Sequence, residues 1–165
     1  MSIEIRELTP ELLADYLYFF EQVAHTDNKE WDRCYCLIYC SADHRDEDFR
    51  SAEVRREYAI QYVQNGKITG YLAYQEGKII GWCNANRKSD CLRCYGLRWL
   101  GDGVSDGLSD SEIKSVFCFT VAPHIRRQGV ARLLLERVCQ DAKREGYAYL
   151  EAYPNKQKTM NTMTM

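Results

Sequence analysis

Residues 116–138 form the stretch that most constrains what this chain can fold into. It begins with a β-branched and aromatic run that ends at Pro123, which is typical of a buried strand. A short turn containing Arg126, Gly129 and Ala131 follows, and the residues after it have the apolar spacing of a helix. The sequence therefore predicts a strand, a tight turn and an amphipathic helix in direct succession.

The predicted turn has the chemistry of an anion site. The first backbone N–H groups of a helix have no intrahelical partner, and the helix dipole places partial positive charge beside them. The small residues Gly129 and Ala131 would let a phosphate approach the backbone closely. Arg126, Arg127 and Arg132 add cationic donors around the same position. The turn therefore predicts a binding site for a pyrophosphate group.

This arrangement resembles the acetyl-CoA signature of the GNAT N-acetyltransferase superfamily, an Arg/Gln-x-x-Gly-x-Gly/Ala turn after a strand that ends in Val-x-Pro. Arg126, Gly129 and Ala131 occupy the three motif positions, and residues 121–123 match the strand exit. The resemblance implies that acetyl-CoA is a co-substrate, with its pyrophosphate in the turn and its pantetheine arm along the strand backbone. The alternative is an ordinary strand–turn–helix corner with surface arginines. The implied cofactor-binding residues are Phe119, Thr120, Val121, Arg126, Arg127, Gln128, Gly129, Val130, Ala131 and Arg132.

Length and composition favour a single domain. The 165 residues suffice for one substantial hydrophobic core. The formal net charge of −2 gives no basic face for a nucleic-acid partner. No apolar run has the length of a membrane span, and no N-terminal stretch has the apolar core of a signal peptide. We therefore expect a cytoplasmic protein with no nucleic-acid partner and no membrane partner.

The first half of the chain predicts one strand, two helices and an extended segment. Residues 3–8 alternate as a half-buried strand, and residues 9–11 have the capping, proline and acidic residues of a helix start. The cysteine-bearing residues 31–39 are predicted to be extended. A second helix is predicted over residues 46–64, with Asn65-Gly66 as its terminator.

The second half predicts a hairpin, a long connection and a last strand. Residues 68–74 and 78–85 flank Glu76-Gly77 and form the hairpin. Residues 86–112 are polar and rich in glycine, which indicates either an acceptor-site lid or a mobile excursion. Residues 147–153 alternate strictly, as in a strand with one buried face.

The element order and the resemblance together predict an α/β (α+β) fold, a GNAT-like single mixed, mostly antiparallel sheet flanked by helices. In the resembled fold the strands carrying Val121 and Leu150 splay apart, and the thioester enters through that gap. We assign the domain to residues 1–154 and regard residues 155–165 as a polar tail of unknown structure. The tail has no tyrosine of the kind that often protonates the departing thiolate in the family. An incomplete sheet edge would favour a homodimer.

Glu151 and Glu112 are the candidate general bases. An amine that arrives protonated must lose its proton before it can attack a thioester. Glu151 lies on the strand that borders the expected gap, with aromatic neighbours that could raise its pKa. A solvated edge-strand glutamate is the alternative for Glu151. Glu112 directly precedes the cofactor strand.

The eight cysteines leave a different interpretation open. Residues 34–44 contain the spacing Cys-x-Cys-x-x-x-Cys-x-x-x-His, and residues 91–94 contain Cys-x-x-Cys. Thiolates and imidazole are preferred zinc ligands, but these thiols can equally be small core residues, and we predict no metal. Three further cysteines lie on strand or helix patterns and are predicted to be core: Cys83, Cys118 and Cys139.

Several aromatic residues also have two interpretations. On alternating strand positions they could line an acceptor pocket, but such residues more often belong to the core. They are Tyr35, Tyr39, Tyr71, Tyr74 and Trp82.

The sequence as a whole predicts an N-acetyltransferase that moves acetyl from acetyl-CoA to a primary amine by direct attack. No residue pattern specifies the acceptor. A non-catalytic acyl-CoA-binding or regulatory module is the alternative, favoured by the absence of the family's last elements from the polar tail. A zinc or redox protein built on the cysteines is a third possibility.

Overall fold

A five-stranded sheet organises the chain. The computed structural model describes residues 2–40, 49, 51–91 and 109–153, and its strands lie in sequence order. The strands are β1 (Ile3–Glu7), β2 (Gly70–Gln75), β3 (Lys78–Arg87), β4 (Ile113–Val121) and β5 (Tyr149–Ala152). The first four strands pair antiparallel, and β5 pairs parallel with β4. The predicted mixed, mostly antiparallel sheet is confirmed.

Helices cover both faces of this sheet. They are α1 (Leu13–Tyr18), α2 (Ala52–Gln64), α3 (Lys88–Cys91) and α4 (Val130–Arg144). A 3₁₀ turn, Pro10–Leu12, precedes α1, and a π-helical turn, Phe19–Val23, follows it. One core, under α1 and α2, joins Tyr16 and Tyr62 to Trp82 of the sheet. The other core joins Leu134 and Val138 of α4 to the opposite sheet face.

The cysteine-bearing segment is not extended, so that prediction was wrong. Its ends form 3₁₀ turns, Lys29–Trp31 and Leu37–Tyr39. Between them Arg33, Tyr35 and Cys36 have left-handed φ angles of 49°, 49° and 52°. Because a left-handed residue reverses the chain direction, alternate side chains do not share a face. Cys34 and Cys36 are therefore not neighbours on one side of a strand.

Helix α2 begins later than predicted and ends where predicted. Ser51 has extended backbone angles, and its hydroxyl accepts a hydrogen bond from the Val54 N–H, which fixes the helix start at Ala52. Residues 46–48 lie outside the described residues. At the other end, Gly66 has a φ of 66°, as expected of a left-handed terminator.

The predicted hairpin is confirmed, and its second strand is longer than expected. Glu76 and Gly77 both have positive φ, which matches the twist of a two-residue hairpin turn. Strand β3 continues to Arg87 and leads directly into α3. The first part of the predicted long connection is therefore regular structure, and residues 92–108 of it lie outside the described residues. Strand β5 begins at Tyr149, two residues later than predicted.

Gly81 in β3 allows α4 to pack closely on the sheet. A Cβ at this position would lie 3.0 Å from Val130 Cγ1 and 3.5 Å from Leu134 Cδ1. Both contacts involve the first turns of α4, so the absence of a side chain at Gly81 sets the position of the helix N-terminus.

Replacing Gly81 with valine is therefore expected to lower the free energy of unfolding by about 2 kcal/mol through overpacking. Urea denaturation measures this loss. Gly77→Ala is the control, because nothing lies within 4 Å of a Cβ there and only backbone strain, about 1 kcal/mol, is expected. Equal losses in the two variants would show that α4 is not seated on Gly81.

Candidate functional site

Strands β4 and β5 pair over only the first part of β4. Their register runs from Ile113 opposite Tyr149 to Val116 opposite Ala152. Beyond that point β4 continues to Val121 without a β5 partner among the described residues. The predicted splay between the two strands is confirmed.

A β-bulge lies where the two strands separate. Asn84 of β3 is opposite Cys118, and its neighbour Ala85 is opposite Val116, so Phe117 is an extra residue in β4. A bulge bends its strand and increases the local twist. The bulge thus lies directly after Val116, where the pairing of β4 with β5 ends.

Three stacked aromatic rings lie at the base of this gap. The Phe117 ring stacks on Tyr39 at a centroid distance of 5.4 Å and on Tyr153 at 5.5 Å, with interplanar angles of 6° and 5°. Tyr153 directly follows β5, so the stack bridges the diverging strands. The stack therefore lies beside the point where the pairing of β4 with β5 ends.

The free edge of β4 presents backbone polar groups to the gap. The Ala122 N–H donates to the Ile80 carbonyl at 2.9 Å, so Ala122 faces β3. Because backbone groups alternate in direction along a strand, those of Phe119 and Val121 face the gap. The Val121 carbonyl accepts a hydrogen bond from Arg126 Nε at 3.2 Å, which agrees with this direction. An extended ligand arm could pair with this edge.

The turn after β4 places the N-terminus of α4 beside that edge. Gly129 is the N-cap of the helix and has a φ of 86°, and Arg127 has a φ of 64°. The first intrahelical bond runs from the Leu133 N–H to the Gly129 carbonyl, so the N–H groups of residues 130–132 have no intrahelical acceptor. Backbone donors of this kind form an anion site.

A cavity of about 450 Å³ lies over these donors. Eight of the ten predicted cofactor residues line it, and the other two, Thr120 and Gln128, do not. The lining residues are Phe119, Val121, Arg126, Arg127, Gly129, Val130, Ala131 and Arg132. The structure thus brings the strand edge and the turn together around one space.

Two of the three arginines at the turn are paired with carboxylates. Arg126 makes a bidentate contact with Asp27, at 2.5 and 3.0 Å, and its guanidinium lowers the pKa of the Asp27 carboxyl. Arg132 Nε lies 2.7 Å from Glu136. Arg127 has no ion pair within the described ranges. An anion bound at this turn would therefore depend more on backbone N–H groups than the sequence suggested.

A second cavity, of about 420 Å³, lies on the opposite face of β4. Cys118 and Thr120 line it, and Cys118 packs against the core under α1 and α2. Val121, which lines the first cavity, packs against the core under α4. Phe119 lines both cavities, so the free edge of β4 separates them.

Glu151 lies in a buried ionic network. Its Oε2 is 3.3 Å from Lys88 Nζ, and the Lys88 side chain is only 4% exposed. Its Oε1 accepts hydrogen bonds from Ser115 at 2.5 Å and from Tyr153 at 2.6 Å. Glu151 lines neither cavity. These contacts favour a structural role, and its action as a base stays a prediction.

Glu112 caps a turn. Its carboxylate accepts a hydrogen bond from the Ser109 N–H at 3.1 Å, within a capping box before β4. The side chain is exposed and lines neither cavity. A catalytic role for Glu112 also stays a prediction.

The aromatic residues and cysteines divide between core and cavity. Four of the five candidate aromatics are buried in the core, namely Tyr35, Tyr71, Tyr74 and Trp82, and Tyr39 lines the second cavity.

Cys83 is buried and Cys118 is partly buried. Cys139 is exposed on α4, so its assignment to the core was wrong: it lies on the helix face turned away from the sheet. The helical pattern alone did not distinguish the two faces for a small residue.

Two other findings concern possible metal and membrane sites. Among the described residues, no group of three or more His, Cys, Asp or Glu side chains is arranged to hold a metal ion. His44 and Cys94 of the zinc-like spacings lie outside those residues. In the part of the chain that the structure describes, no helix is both long and apolar enough to cross a membrane.

Comparison with known proteins decides the family. The model of the acetyltransferase (GNAT) family matches residues 6–163. The chain belongs to this family. As a GNAT acetyltransferase it is an acyltransferase with acetyl-CoA as its co-substrate. The match extends past residue 154, where the sequence placed the end of the domain.

Solved structures similar to this GNAT chain share its fold at low sequence identity. Aminoglycoside N-acetyltransferase AAC(6')-Iy in complex with CoA is 15% identical, with a TM-score of 0.56 over 98% of this chain and 80% of that one. A ribosomal-protein-alanine N-acetyltransferase from Brucella melitensis biovar Abortus 2308 is 14% identical, with a TM-score of 0.54 over 94% and 82%. An integron cassette protein from the mobile metagenome of V. cholerae is 11% identical, with a TM-score of 0.59 over 94% and 77%. No curated protein matches the chain in sequence.

Proposed function

We propose that this GNAT chain transfers acetyl from acetyl-CoA to a primary amine by direct attack at the free edge of β4. The observation that carries the proposal is the pair of cavities that meet at Phe119. One has the backbone donors that suit a pyrophosphate, and the other opens on the opposite face of the same edge. Two substrates bound in this way would meet where β4 and β5 separate.

The chain's own groups suit the two parts of the donor. N–H groups of residues 130–132 would hold the pyrophosphate, together with the Arg127 guanidinium. The backbone of Phe119 and Val121 would pair with the pantetheine arm in the gap left by β5. A strand N–H near Val121 would then stabilise the oxyanion that forms when the thioester is attacked.

The second cavity favours a positively charged acceptor. Glu30, Trp31 and Asp32 line it together with one cationic side chain, Arg55, and the Trp31 side chain is 50% exposed. Carboxylates and an accessible indole ring attract ammonium groups. Asp32 forms an ion pair with Arg33 at 3.0 Å, whereas Glu30 makes no ion pair within the described ranges. We therefore infer a polycationic amine. Structural neighbours crystallised with an aminoglycoside or an aminoglycoside bisubstrate analogue support this class.

An acceptor screen with acetyl-CoA tests the proposal. Candidate amines are sisomicin, neamine, a linear polyamine and a peptide that begins with alanine. We expect CoA thiol release and an acetylated product, detected by mass spectrometry, with at least one of the polycations. The non-catalytic alternative predicts acetyl-CoA binding without thiol release for every amine, and that result would contradict transferase activity.

A test of the acceptor cavity is the variant Glu30→Gln, and its matched control is Glu76→Gln. Glu30 lines the acceptor cavity, whereas Glu76 is exposed at the hairpin turn. We expect Glu30→Gln to raise the Michaelis constant of a polycation about threefold to tenfold, since one charge interaction of this kind contributes on the order of 1 kcal/mol. Glu76→Gln should leave it unchanged. Equal Michaelis constants in the two variants would show that Glu30 does not contribute to acceptor binding.

A further inference from the structure

A thiol–imidazole pair lies in the second cavity and has no part in the direct transfer. The Cys34 sulfur is 3.7 Å from His25 Nε2, and both residues line the cavity. Cys34 is partly exposed, whereas the neighbouring Cys36 is buried. Of these two cysteines, Cys34 is therefore the more accessible to a molecule in the cavity.

The surroundings of Cys34 stabilise its thiolate. The hydrogen bond from the Cys36 thiol is the largest cause, burial opposes it, and His25 adds a further favourable contact; together they lower the pKa of Cys34 to about 5. Contacts with Cys118 and with Cys34 raise the pKa of Cys36 well above its ordinary value. Of the two thiols, Cys34 therefore ionises at a lower pH than Cys36. A thiolate present at neutral pH is a strong nucleophile.

The backbone around this pair is held in an unfavourable conformation. The described part of the chain has six non-glycine residues with positive φ. Four of them lie beside the pair, namely His25 at 56°, Arg33 at 49°, Tyr35 at 49° and Cys36 at 52°. Such conformations cluster at functional sites, where the surrounding structure imposes them. The fold thus positions Cys34 and His25 at a cost to its own stability.

We propose that Cys34 is a second acyl acceptor, whose sulfur takes the acetyl group of acetyl-CoA when no amine fills the cavity. The Cys34 sulfur bonds to the thioester carbonyl carbon, and the bond from that carbon to the CoA sulfur breaks. CoA leaves as a thiolate, so the negative charge passes from the Cys34 sulfur to the CoA sulfur and the exchange requires no proton transfer. One thioester replaces another, so the exchange needs no oxidant or further reactant.

This inference rests on the proposed function, because acetyl-CoA must lie along the free edge of β4. Phe119 lines both cavities, and Cys34 lines the second one with Phe119, Cys118 and Thr120. An acyl group that passes Phe119 into the second cavity would enter the space of about 420 Å³ that Cys34 lines.

Mass spectrometry of the intact protein after incubation with acetyl-CoA alone tests the proposal. We expect the wild-type protein to gain one acetyl group, located on the Cys34 peptide and removed by neutral hydroxylamine, which cleaves thioesters and spares amides. Cys34→Ala should gain none, and His25→Asn should gain it more slowly, because the His25 contact contributes to the lowered pKa of Cys34. Cys139→Ala, which removes an exposed thiol on α4, should match the wild type.

Calorimetric titration of the same proteins with acetyl-CoA separates this proposal from the proposed function. Binding by the wild type without a protein-bound acetyl group overturns the role of Cys34 and leaves amine transfer standing. Absence of binding overturns both. An acetyl group that persists in Cys34→Ala, or that is located on Cys139, also overturns the role of Cys34.

The alkylation rate of Cys34 in the unsubstituted protein gives a readout that does not depend on the folding of a variant. The groups that face Cys34 are His25 and Cys36, Cys36 in turn contacts Cys118, and the charged residues lining the same cavity are Glu30, Asp32 and Arg55. Because the thiolate fraction rises with pH, reaction with iodoacetamide should increase through about pH 5 and level off above it. A midpoint near about 8.5, the value of an ordinary thiol, would contradict an activated Cys34.

Discussion

Gly129→Glu is expected to weaken acetyl-CoA binding at least about 100-fold, which corresponds to roughly 3 kcal/mol. Gly129 is the N-cap of α4 and lines the cavity above its backbone donors. No atom lies within 4 Å of a Cβ at this position, so the new side chain would extend into the open space. Its carboxylate would occupy the pyrophosphate position and repel that group. Calorimetric titration with acetyl-CoA measures the loss.

The control for this prediction is Gly66→Glu. Gly66 also has a left-handed φ, 66°, and open space around its Cβ position, but it terminates α2 and does not line the cavity. Both variants place a side chain at a left-handed φ and add the same charge, but only Gly129 lines the cavity. Gly129→Gln should retain more affinity than Gly129→Glu, because it adds bulk without charge. Unchanged affinity in Gly129→Glu would show that the turn does not hold acetyl-CoA.

Glu151→Gln is expected to lower the free energy of unfolding by about 3 kcal/mol. The carboxylate pairs with Lys88, whose side chain is 4% exposed, and accepts hydrogen bonds from Ser115 and Tyr153. A neutral amide would remove the charge interaction between Glu151 and the buried Lys88 ammonium, and removing one partner of a buried pair is strongly destabilising. Urea denaturation measures the change.

A double-mutant cycle with Lys88→Met separates this structural role from a catalytic one. Because the double variant contains neither charge, it should recover part of the loss seen in Glu151→Gln. Glu112→Gln is the matched control, since this exposed cap is expected to cost only about 1 kcal/mol. Unchanged stability of Glu151→Gln, with a reduced turnover number and a lost acidic limb in the pH profile, would instead identify Glu151 as the general base.

The parts of the fold that the sequence predicted depend on local signals. The hairpin at Glu76-Gly77 follows from two residues that tolerate positive φ, and the end of α2 follows from Gly66. The succession of β4, the turn and α4 follows from a strand pattern, a proline and a helical pattern within about two dozen residues. Local preferences of this kind match the final structure because tertiary contacts reinforce them.

The errors and omissions lie where distant contacts determine the structure. The partner of Arg126 is Asp27, 99 residues away, and no local pattern reveals that this predicted phosphate cation is paired with a carboxylate. The alternation of residues 31–39 suggested a strand, but the chain there adopts left-handed conformations at Arg33, Tyr35 and Cys36. Non-glycine residues rarely adopt such angles, so composition gives no warning of them. The approach of His25 to Cys34 follows from those turns and was missed for the same reason.

The measurement that tests the site most directly is the crystal structure of the complex with CoA. We expect the pyrophosphate oxygens to lie within hydrogen-bonding distance of the N–H groups at the start of α4, residues 130–132. The pantetheine arm should run along Phe119 and Val121, with its sulfur pointing into the gap between β4 and β5. A complex in which CoA lies elsewhere, and the 450 Å³ cavity over Gly129 holds no phosphate, would contradict this placement of acetyl transfer.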